Sequence, residues 1–176
     1  MRLVAPTAAL FLAVLAWPAL AQDSSREDFR DFCHAIQGRW VGDVTWVADW
    51  PGFGKRGEKV TAYWEGRVSE DGNLLIGKFV GGDGSETSLI YFDASAKQIR
   101  WTMVASAGSV TQSVVFKKDG KWHQKGHGSL ADGTKTQYTN TAIITENGNK
   151  WVWEGTGTVG DKPAADQRDV WRRVSK

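Results

Sequence analysis

The sequence predicts an all-β protein, namely a single antiparallel β-barrel of about ten strands with a short N-terminal capping helix. Apolar and polar residues alternate from Arg39 almost to the end of the chain, as they do in half-buried strands. Asp-Gly and Asn-Gly dipeptides, which favour tight hairpin turns, recur between these runs. No second helical pattern separates the strands, which excludes a parallel β-α-β topology.

The helix is predicted over residues 24–37. Ser24-Ser25-Arg26-Glu27 has the spacing of a capping box, and Gly38 ends the segment. An apolar stripe with helical spacing follows the capping box: Phe29, Phe32, Cys33 and Ile36. One stripe needs one surface to cover it, so we expect this helix to close one end of a barrel rather than to flank a sandwich.

The strands follow from the alternation with a period of two. In one run Val60, Ala62 and Trp64 alternate with charged and polar neighbours, and in another Ile99 and Trp101 do so. The predicted strands cover residues 39–48, 58–69, 73–80, 86–93, 98–106, 109–118, 121–130, 135–145, 150–158 and 166–174. Two longer connections, 49–57 and 161–165, are candidates for binding loops, because long loops on a rigid barrel often carry contacts.

The first 21 residues have the pattern of a secretory signal peptide. A basic start is followed by an apolar stretch that ends in Ala19-Leu20-Ala21, which predicts cleavage before Gln22. The chain therefore divides into a signal peptide, 1–21, and one barrel domain, 22–176, and the product is expected to be periplasmic or secreted. After cleavage we expect no membrane span. Cys33 is the only cysteine, so no disulfide forms within the chain, and its place on the helix stripe predicts a buried thiol.

The overall charge excludes one class of partner. The sequence has a formal net charge of +2, and its basic pairs, Lys117-Lys118 and Arg172-Arg173, are scattered. A nucleic-acid-binding surface needs a concentrated basic patch, so no nucleic-acid partner is expected.

Two short motifs resemble those of the calycin superfamily, the lipocalin and fatty-acid-binding type of barrel. Gly38-Arg39-Trp40 opens the first predicted strand directly after the helix, and Arg172 and Arg173 lie in the last strand. In lipocalins a Gly-x-Trp stands at this place, and a basic residue late in the chain packs across the Trp. The resemblance thus implies structural roles for Gly38, Trp40 and one of Arg172 or Arg173.

The mature chain resembles more closely a group of bacterial exported lipocalin-like barrel proteins of unknown function. The shared features are Gly38-x-Trp40-x-Gly42, the Tyr-x-Asp at Tyr91-Phe92-Asp93, and the Arg-rich last strand. Nitrobindin-type barrels also begin with Gly-x-Trp-x-Gly and bind haem through one His, but no His of this sequence lies near the chain end. No cofactor is therefore expected.

Other chemical motifs are weak. His123 and His127 lie four apart on one predicted strand, about 13 Å from each other, which is too far to chelate one metal. The GxGxxG at residues 52–57 is followed by a strand pattern rather than a helix, so a dinucleotide site is rejected and a lid is an alternative. Glu65 and Glu154 are expected to face solvent. No catalytic residue and no metal site are assigned.

The tryptophans carry the functional hypothesis. Several lie on the apolar faces of strands, and a barrel of this size can keep a cavity that such rings line. The favoured function is non-catalytic binding of a small hydrophobic or amphipathic molecule. The candidate ligand-binding residues are Trp64, Trp101, Met103, Phe116, Trp122 and Trp151, with Trp50 and Phe53 over the mouth.

Two alternatives remain open at this point. One is a small barrel enzyme that acts on a lipid-like or aromatic substrate with His123 or His127 as base. The other is a ligand-free structural or interaction protein of the cell envelope. The sequence does not decide the oligomeric state.

Overall fold

Ten antiparallel strands close into a barrel in the computed structural model, which describes residues 23–69 and 71–175. One α-helix precedes them, and an eleventh, two-residue strand extends one hairpin. The elements are α1 (Arg26–Ile36), β1 (Gly38–Thr45), β2 (Lys59–Val68), β3 (Leu74–Gly81), β4 (Gly84–Asp93), β5 (Gln98–Ala105), β6 (Val110–Lys118), β7 (Lys121–Ser129), β8 (Lys135–Thr145), β9 (Lys150–Val159), β10 (Lys162–Pro163) and β11 (Gln167–Ser175), with a 3₁₀ turn at Glu146–Gly148.

The ladder of strand pairs runs without interruption around the barrel. Each strand from β1 to β9 pairs with the next one, β9 also pairs with β11, and β11 returns to β1, where Trp171 lies opposite Gly42. Closure satisfies the backbone groups that an edge strand would leave unpaired. The predicted all-β barrel with one N-terminal helix is thus confirmed.

The predicted and observed elements agree to within about three residues, and the differences have local causes. The capping box is formed by Ser25 and Asp28 rather than by Ser24 and Glu27: Asp28 N donates to Ser25 Oγ, and Ser25 N donates to Asp28 Oδ2. Ser24 instead donates from its backbone N–H to Lys97 O, which attaches the start of the helix to the barrel. The predicted signal peptide lies outside the described residues.

The helix closes one end of the barrel with its apolar stripe. Phe29, Phe32, Cys33 and Ile36 are all buried against the inward residues of the strands. The carbonyl of Ile36, at the helix C-terminus, accepts hydrogen bonds from Trp40 Nε1 at 3.1 Å and from Trp64 Nε1 at 3.0 Å. Burial raises the pKa of the Cys33 thiol to about 12, so this cysteine stays in its neutral form.

Inward-facing tryptophans fill much of the barrel, and glycines on neighbouring strands make room for them. A Cβ at Gly77 would lie 2.0 Å from Cη2 of Trp64, and a Cβ at Gly42 would lie 2.5 Å from the ring of Trp171. Large rings are therefore accommodated because the wall beside them carries no side chain. The inward tryptophans are Trp40, Trp64, Trp101, Trp122, Trp151, Trp153 and Trp171.

Arg173 joins the last strand to the helix end. Its guanidinium carbon lies 4.0 Å above the centre of the Trp40 ring. Its Nη2 donates to Ala35 O at 2.8 Å, its Nε donates to Gly148 O at 3.0 Å, and its Nη1 donates to Gln37 O. Arg172 points the other way and pairs at 3.5 Å with the exposed Asp43. Of the two basic residues in the sequence motif, Arg173 is the one that packs across Trp40.

We expect Arg173→Lys to lower the free energy of unfolding by about 2–3 kcal/mol. A lysine cannot reach three carbonyls at once or stack flat on an indole, and carbonyls left buried without a donor are costly. Urea unfolding followed by tryptophan fluorescence measures the loss. The matched control is Arg172→Lys, which alters an exposed ion pair and should change the unfolding free energy by less than about 0.5 kcal/mol. Equal effects of the two substitutions would contradict the role given to Arg173.

Candidate functional site

A cavity of about 270 Å³ occupies the half of the barrel that lies away from the helix. Its walls are inward residues of the strands, and its mouth is surrounded by the β1–β2 loop and by the connection between β9 and β11. Small-molecule sites in proteins usually measure roughly 300–1,000 Å³. The cavity is slightly smaller than this range, so it has room only for a small ligand.

Five of the tryptophans that line the cavity pack against one another. Trp101 lies within 6 Å of Trp64 and Trp153, and Trp151 contacts Trp153 and Trp171, all with tilted or edge-on ring geometry. These contacts hold each ring at a defined angle, because neighbouring aromatic rings favour edge-to-face or offset packing. The wall is consequently a rigid aromatic surface rather than a set of independent side chains.

Three buried polar atoms of residues in this wall have no hydrogen-bond partner in the part of the chain that the structure describes: Trp46 Nε1, Thr136 Oγ1 and Trp151 Nε1. The hydroxyl of Tyr138, by contrast, interacts with the hydroxyls of Ser113 and Thr111. All four residues line the same cavity. Buried polar groups are nearly always paired, and an unpaired one costs about 1–3 kcal/mol. Three of the residues around this cavity therefore keep an unpaired polar atom.

A second set of polar side chains at the same wall forms hydrogen bonds within the set. Gln124 Nε2 donates to Ser113 Oγ at 2.8 Å, and Asn140 Nδ2 donates to Gln124 Oε1 at 3.2 Å. With its amide turned round, Asn140 accepts from Trp153 Nε1 at 3.0 Å instead. These residues lie on β6, β7 and β8, so the network braces three neighbouring strands. The polar groups of this network are therefore already paired within the protein.

Two carboxyl groups also line the cavity, and both are shifted towards the protonated form. Burial raises the pKa of Glu86 to about 7, although the hydroxyl of Ser88 and the charge of Lys78 act in the opposite direction. Burial likewise raises the pKa of Asp169 to about 6, opposed by Gln167 and the backbone N–H of Thr45. Loss of solvent around a carboxyl disfavours the charged form, which explains both shifts.

The two carboxyls differ in how far their oxygens are already engaged. Asp169 Oδ2 accepts from Gln167 Nε2 at 2.6 Å, and its Oδ1 accepts from Thr45 N at 3.3 Å. Glu86 accepts one hydrogen bond, from Ser88 Oγ to Oε1 at 3.2 Å. Asp169 is thus held in place on both oxygens, whereas Oε2 of Glu86 has no hydrogen bond from the described residues.

The β1–β2 loop, residues 46–58, covers the mouth. Phe53 packs against Trp46 and Phe79 with ring centres 5.6 and 6.0 Å apart. The loop is tied at two points, because Asp83 N donates to Phe53 O at 3.1 Å and Ala165 N donates to Val47 O at 2.9 Å. The GxGxxG motif of the sequence lies in this loop, which is followed by strand β2 rather than by a helix. The loop therefore forms a lid in contact with the β3–β4 turn and the β9–β11 connection.

Six of the eight sequence-predicted ligand residues lie at the cavity, and two do not. Trp64, Trp101, Met103 and Trp151 line its walls, and Trp50 and Phe53 lie at its mouth. Trp122 is also inward-facing but packs at the helix end, 5.0 Å from the Phe32 ring.

Phe116 is on the outer face of the barrel, where it stacks on His123 at 5.4 Å. Three consecutive apolar residues, Val114, Val115 and Phe116, hide the alternation in β6, and Val115 is the buried one. A run without alternation does not reveal which of its residues face inward.

The polar residues of the site were not predicted from the sequence. Asp169 shares a strand face with Trp171, two residues along, and Glu86 shares one with Ser88 and Ile90. The period-two pattern therefore contained the signal that both carboxyls face inward. An expectation that inward positions are apolar obscured it, because charged residues are seldom buried without a partner.

The histidines and the other acidic residues lie elsewhere. His123 is on the outer face, with Nδ1 3.3 Å from Thr141 Oγ1, and His127 lines a shallow groove on the outside of the barrel. Glu65 pairs with Arg67 at 3.2 Å, and Glu154 pairs with Arg168 at 3.1 Å, both on the outer surface. Among residues 23–69 and 71–175, no group of three or more His, Cys, Asp and Glu side chains could hold a metal ion.

Comparison with known proteins adds no further constraint: no protein-family model matches the chain, and no curated protein matches it either. Within the described ranges, no helix is both long enough and apolar enough to cross a membrane.

We expect Glu86→Gln to stabilise the ligand-free protein at pH 8 by about 1–3 kcal/mol and to have little effect at pH 4.5. The folded protein binds a proton at Glu86 up to a pH of about 7, whereas the unfolded chain releases it near 4.5, the ordinary value. Unfolding therefore releases a proton between these values, so this carboxyl makes the fold less stable as the pH rises through the window. Glutamine carries no proton to lose.

Urea unfolding of both proteins at pH 4.5 and pH 8 measures the difference. Glu65→Gln is the control, since it removes an exposed carboxyl from the outer face and should change the unfolding free energy by less than about 0.5 kcal/mol at both pH values. An equal effect of Glu86→Gln at the two pH values would show that the carboxyl is not buried in the empty barrel.

Proposed function

We propose that the barrel binds a small amphipathic molecule in its cavity without transforming it. The observation that carries the proposal is that three residues with an unpartnered buried polar atom, Trp46, Thr136 and Trp151, line one largely aromatic cavity. A ligand with an apolar body and a few hydrogen-bonding groups complements both parts of this wall.

The energetic argument concerns the polar atoms. Two of them are indole N–H groups, which only donate, so they require an acceptor such as a carbonyl, ether or hydroxyl oxygen on the ligand. Each hydrogen bond formed to a buried group that has no other partner offsets a desolvation cost of about 1–3 kcal/mol. Water molecules also satisfy such groups, and a ligand that displaces them must reproduce their hydrogen bonds.

The presence of a lid over the cavity favours a carrier function over an open receptor surface. Trp50 and Phe53 lie over the mouth, and the loop is held there by two long-range backbone hydrogen bonds. Few bonds need to break for the loop to move, so entry and release of the ligand are compatible with a closed resting state.

We also propose that the chain is a member of the calycin superfamily. The support is the position of Arg173, whose guanidinium lies over the ring of Trp40 directly after the N-terminal helix. The Gly38-x-Trp40 motif and the late basic residue are the two features on which the resemblance depends.

Export to the periplasm or beyond is proposed on the sequence of residues 1–21 alone. A chain with one cysteine, buried at the helix, needs no disulfide chemistry in that compartment.

The two alternative functions have less support. An enzyme with His123 or His127 as base would need one of them at the cavity, and both lie on the outer face. A ligand-free structural barrel would have no reason to leave three unpartnered polar atoms beside a cavity of about 270 Å³.

The direct test is native mass spectrometry of the protein purified from cells that produce it. An additional mass that disappears on denaturation supports a carrier, and extraction then identifies the ligand. A bare polypeptide mass that also fails to bind the neutral, flat fluorescent probe N-phenyl-1-naphthylamine would contradict the proposal.

We expect Ala105→Phe to weaken binding of N-phenyl-1-naphthylamine at least about tenfold, which corresponds to about 1.4 kcal/mol. Ala105 lines the cavity, so the added ring occupies ligand volume. Val104→Phe is the matched control, because Val104 is the preceding residue on the same strand and is 50% exposed on the outer face. The affinity of Val104→Phe for the probe should stay within about twofold of that of the unsubstituted protein. Equal loss in both variants would mean that the probe does not occupy the cavity.

A further inference from the structure

The ionisable side chains of the cavity wall are all acidic. Glu86 and Asp169 are among its lining residues, whereas no Lys, Arg or His of the described chain lines it. Removing a carboxylate from water is costly, which is why both groups shift towards the neutral form, and the one cation that opposes this shift at Glu86, Lys78, lies on the outer face. An anionic ligand would meet two carboxyls and no cation in the wall. The wall therefore disfavours fatty acids and other carboxylates.

The aromatic residues favour the opposite charge. The rings of Trp101, Trp151, Trp153 and Phe79 line the same cavity as the carboxyls. The face of an aromatic ring carries partial negative charge, and a desolvated cation over such a face gains about 2 kcal/mol or more, with tryptophan the best ring. The carboxyls and the aromatic rings of this wall thus both favour a cationic ligand.

Glu86, rather than Asp169, is the group free to pair with a ligand cation. Both oxygens of Asp169 already accept hydrogen bonds, one from the Thr45 amide and one from Gln167. Glu86 accepts a single hydrogen bond, from the neutral Ser88 hydroxyl. Glu86 lies near the mouth end of β4, opposite Phe79 of β3 and Ala105 of β5.

One unpartnered donor, the indole N–H of Trp151, lies at a different level of the cavity from Glu86. Trp151 is the second residue of β9 and contacts Trp40 near the helix end, with ring centres 5.9 Å apart. A ligand that spans the cavity can therefore place a cation near Glu86 and an oxygen acceptor near Trp151 Nε1 without bringing the cation to the indole N–H.

We propose that the ligand is an organic cation, a protonated or quaternary amine on a compact apolar body, with its ammonium group paired to Glu86. The proposal rests on the proposed binding function and specifies the class of ligand for that same cavity. It excludes free fatty acids and other organic anions as the preferred ligands.

Binding of such a cation depends on pH in a defined direction. The positive charge of Lys78 of β3 lowers the pKa of Glu86 from the outer face, where its ammonium donates to Ser85 and Thr87. The charge of Glu86 in turn raises the pKa of Tyr138 of β8. Ala105 of β5, which lies directly opposite Glu86 on the other neighbouring strand, carries no charge. With a pKa of about 7, Glu86 is mostly protonated at pH 6 and mostly ionised at pH 8. The affinity for a cation should accordingly be about tenfold higher at pH 8 than at pH 6.

The experiment compares three probes of nearly equal shape by isothermal titration. Benzyltrimethylammonium carries a permanent charge, neopentylbenzene is its neutral carbon isostere, and phenylacetate is an anion of similar size. At pH 8 we expect the cation to bind at least about tenfold more tightly than the isostere and the anion not to bind measurably. A permanent cation does not titrate, so its pH dependence reports on the protein alone.

Variants assign the effect to one carboxyl. Glu86→Gln should remove both the preference for the cation and its pH dependence, while binding of neopentylbenzene is retained or improved. Asp169→Asn should reduce affinity for the cation less than about threefold. Glu154→Gln, on the outer face, is the control for a general change of charge and should have no effect.

The outcomes separate this inference from the proposed function. Equal or tighter binding of the neutral isostere, or tighter binding of the anion, would overturn the assignment of a cation while supporting a binding cavity. If none of the three probes binds, the cation assignment is overturned, and binding of N-phenyl-1-naphthylamine then decides separately whether the cavity takes any ligand.

Discussion

The junction between the helix end and the last strand is the interaction on which the rest of this barrel depends. Arg173 lies over Trp40 and donates to carbonyls of Ala35 and Gln37, while Trp40 and Trp64 donate to the neighbouring carbonyl of Ile36. Helix C-termini leave carbonyls without partners, and here side chains from three strands supply the donors. The helix is thereby fixed as the closed end, and the cavity is confined to the other half.

Close packing of the tryptophans requires strand positions without side chains beside the rings. This requirement links the fold to the site. Gly42 and Gly77 leave space for the rings of Trp171 and Trp64, which a Cβ at either position would meet. Because the rings are positioned by each other and by backbone, they do not collapse into the remaining space. Residues with unpartnered polar atoms and a partly engaged carboxyl then line a cavity whose shape is set by the packing of the barrel itself, which is the preorganisation that the proposed binding function requires.

Much of the architecture could be predicted from the sequence because the signals are local. The period-two runs, the turn dipeptides and the helical stripe each depend on neighbouring residues, and the observed strands follow them closely. Six candidate ligand residues reach the cavity for the same reason. Phe116 does not, because β6 is apolar on both faces at that point, and Trp122 does not, because facing inward does not specify which end of the barrel a residue occupies.

The sequence by itself thus determined the order of the ten barrel strands, the capping helix and the inward direction of most tryptophans, since period and turn chemistry are properties of short segments. The tertiary structure alone decided that Arg173 rather than Arg172 packs on Trp40, that Glu86, Tyr138 and Trp151 share one cavity, and that the lid is tied to two distant connections. Those facts depend on strand stagger and barrel closure, which bring together residues far apart in the chain and which no local pattern encodes.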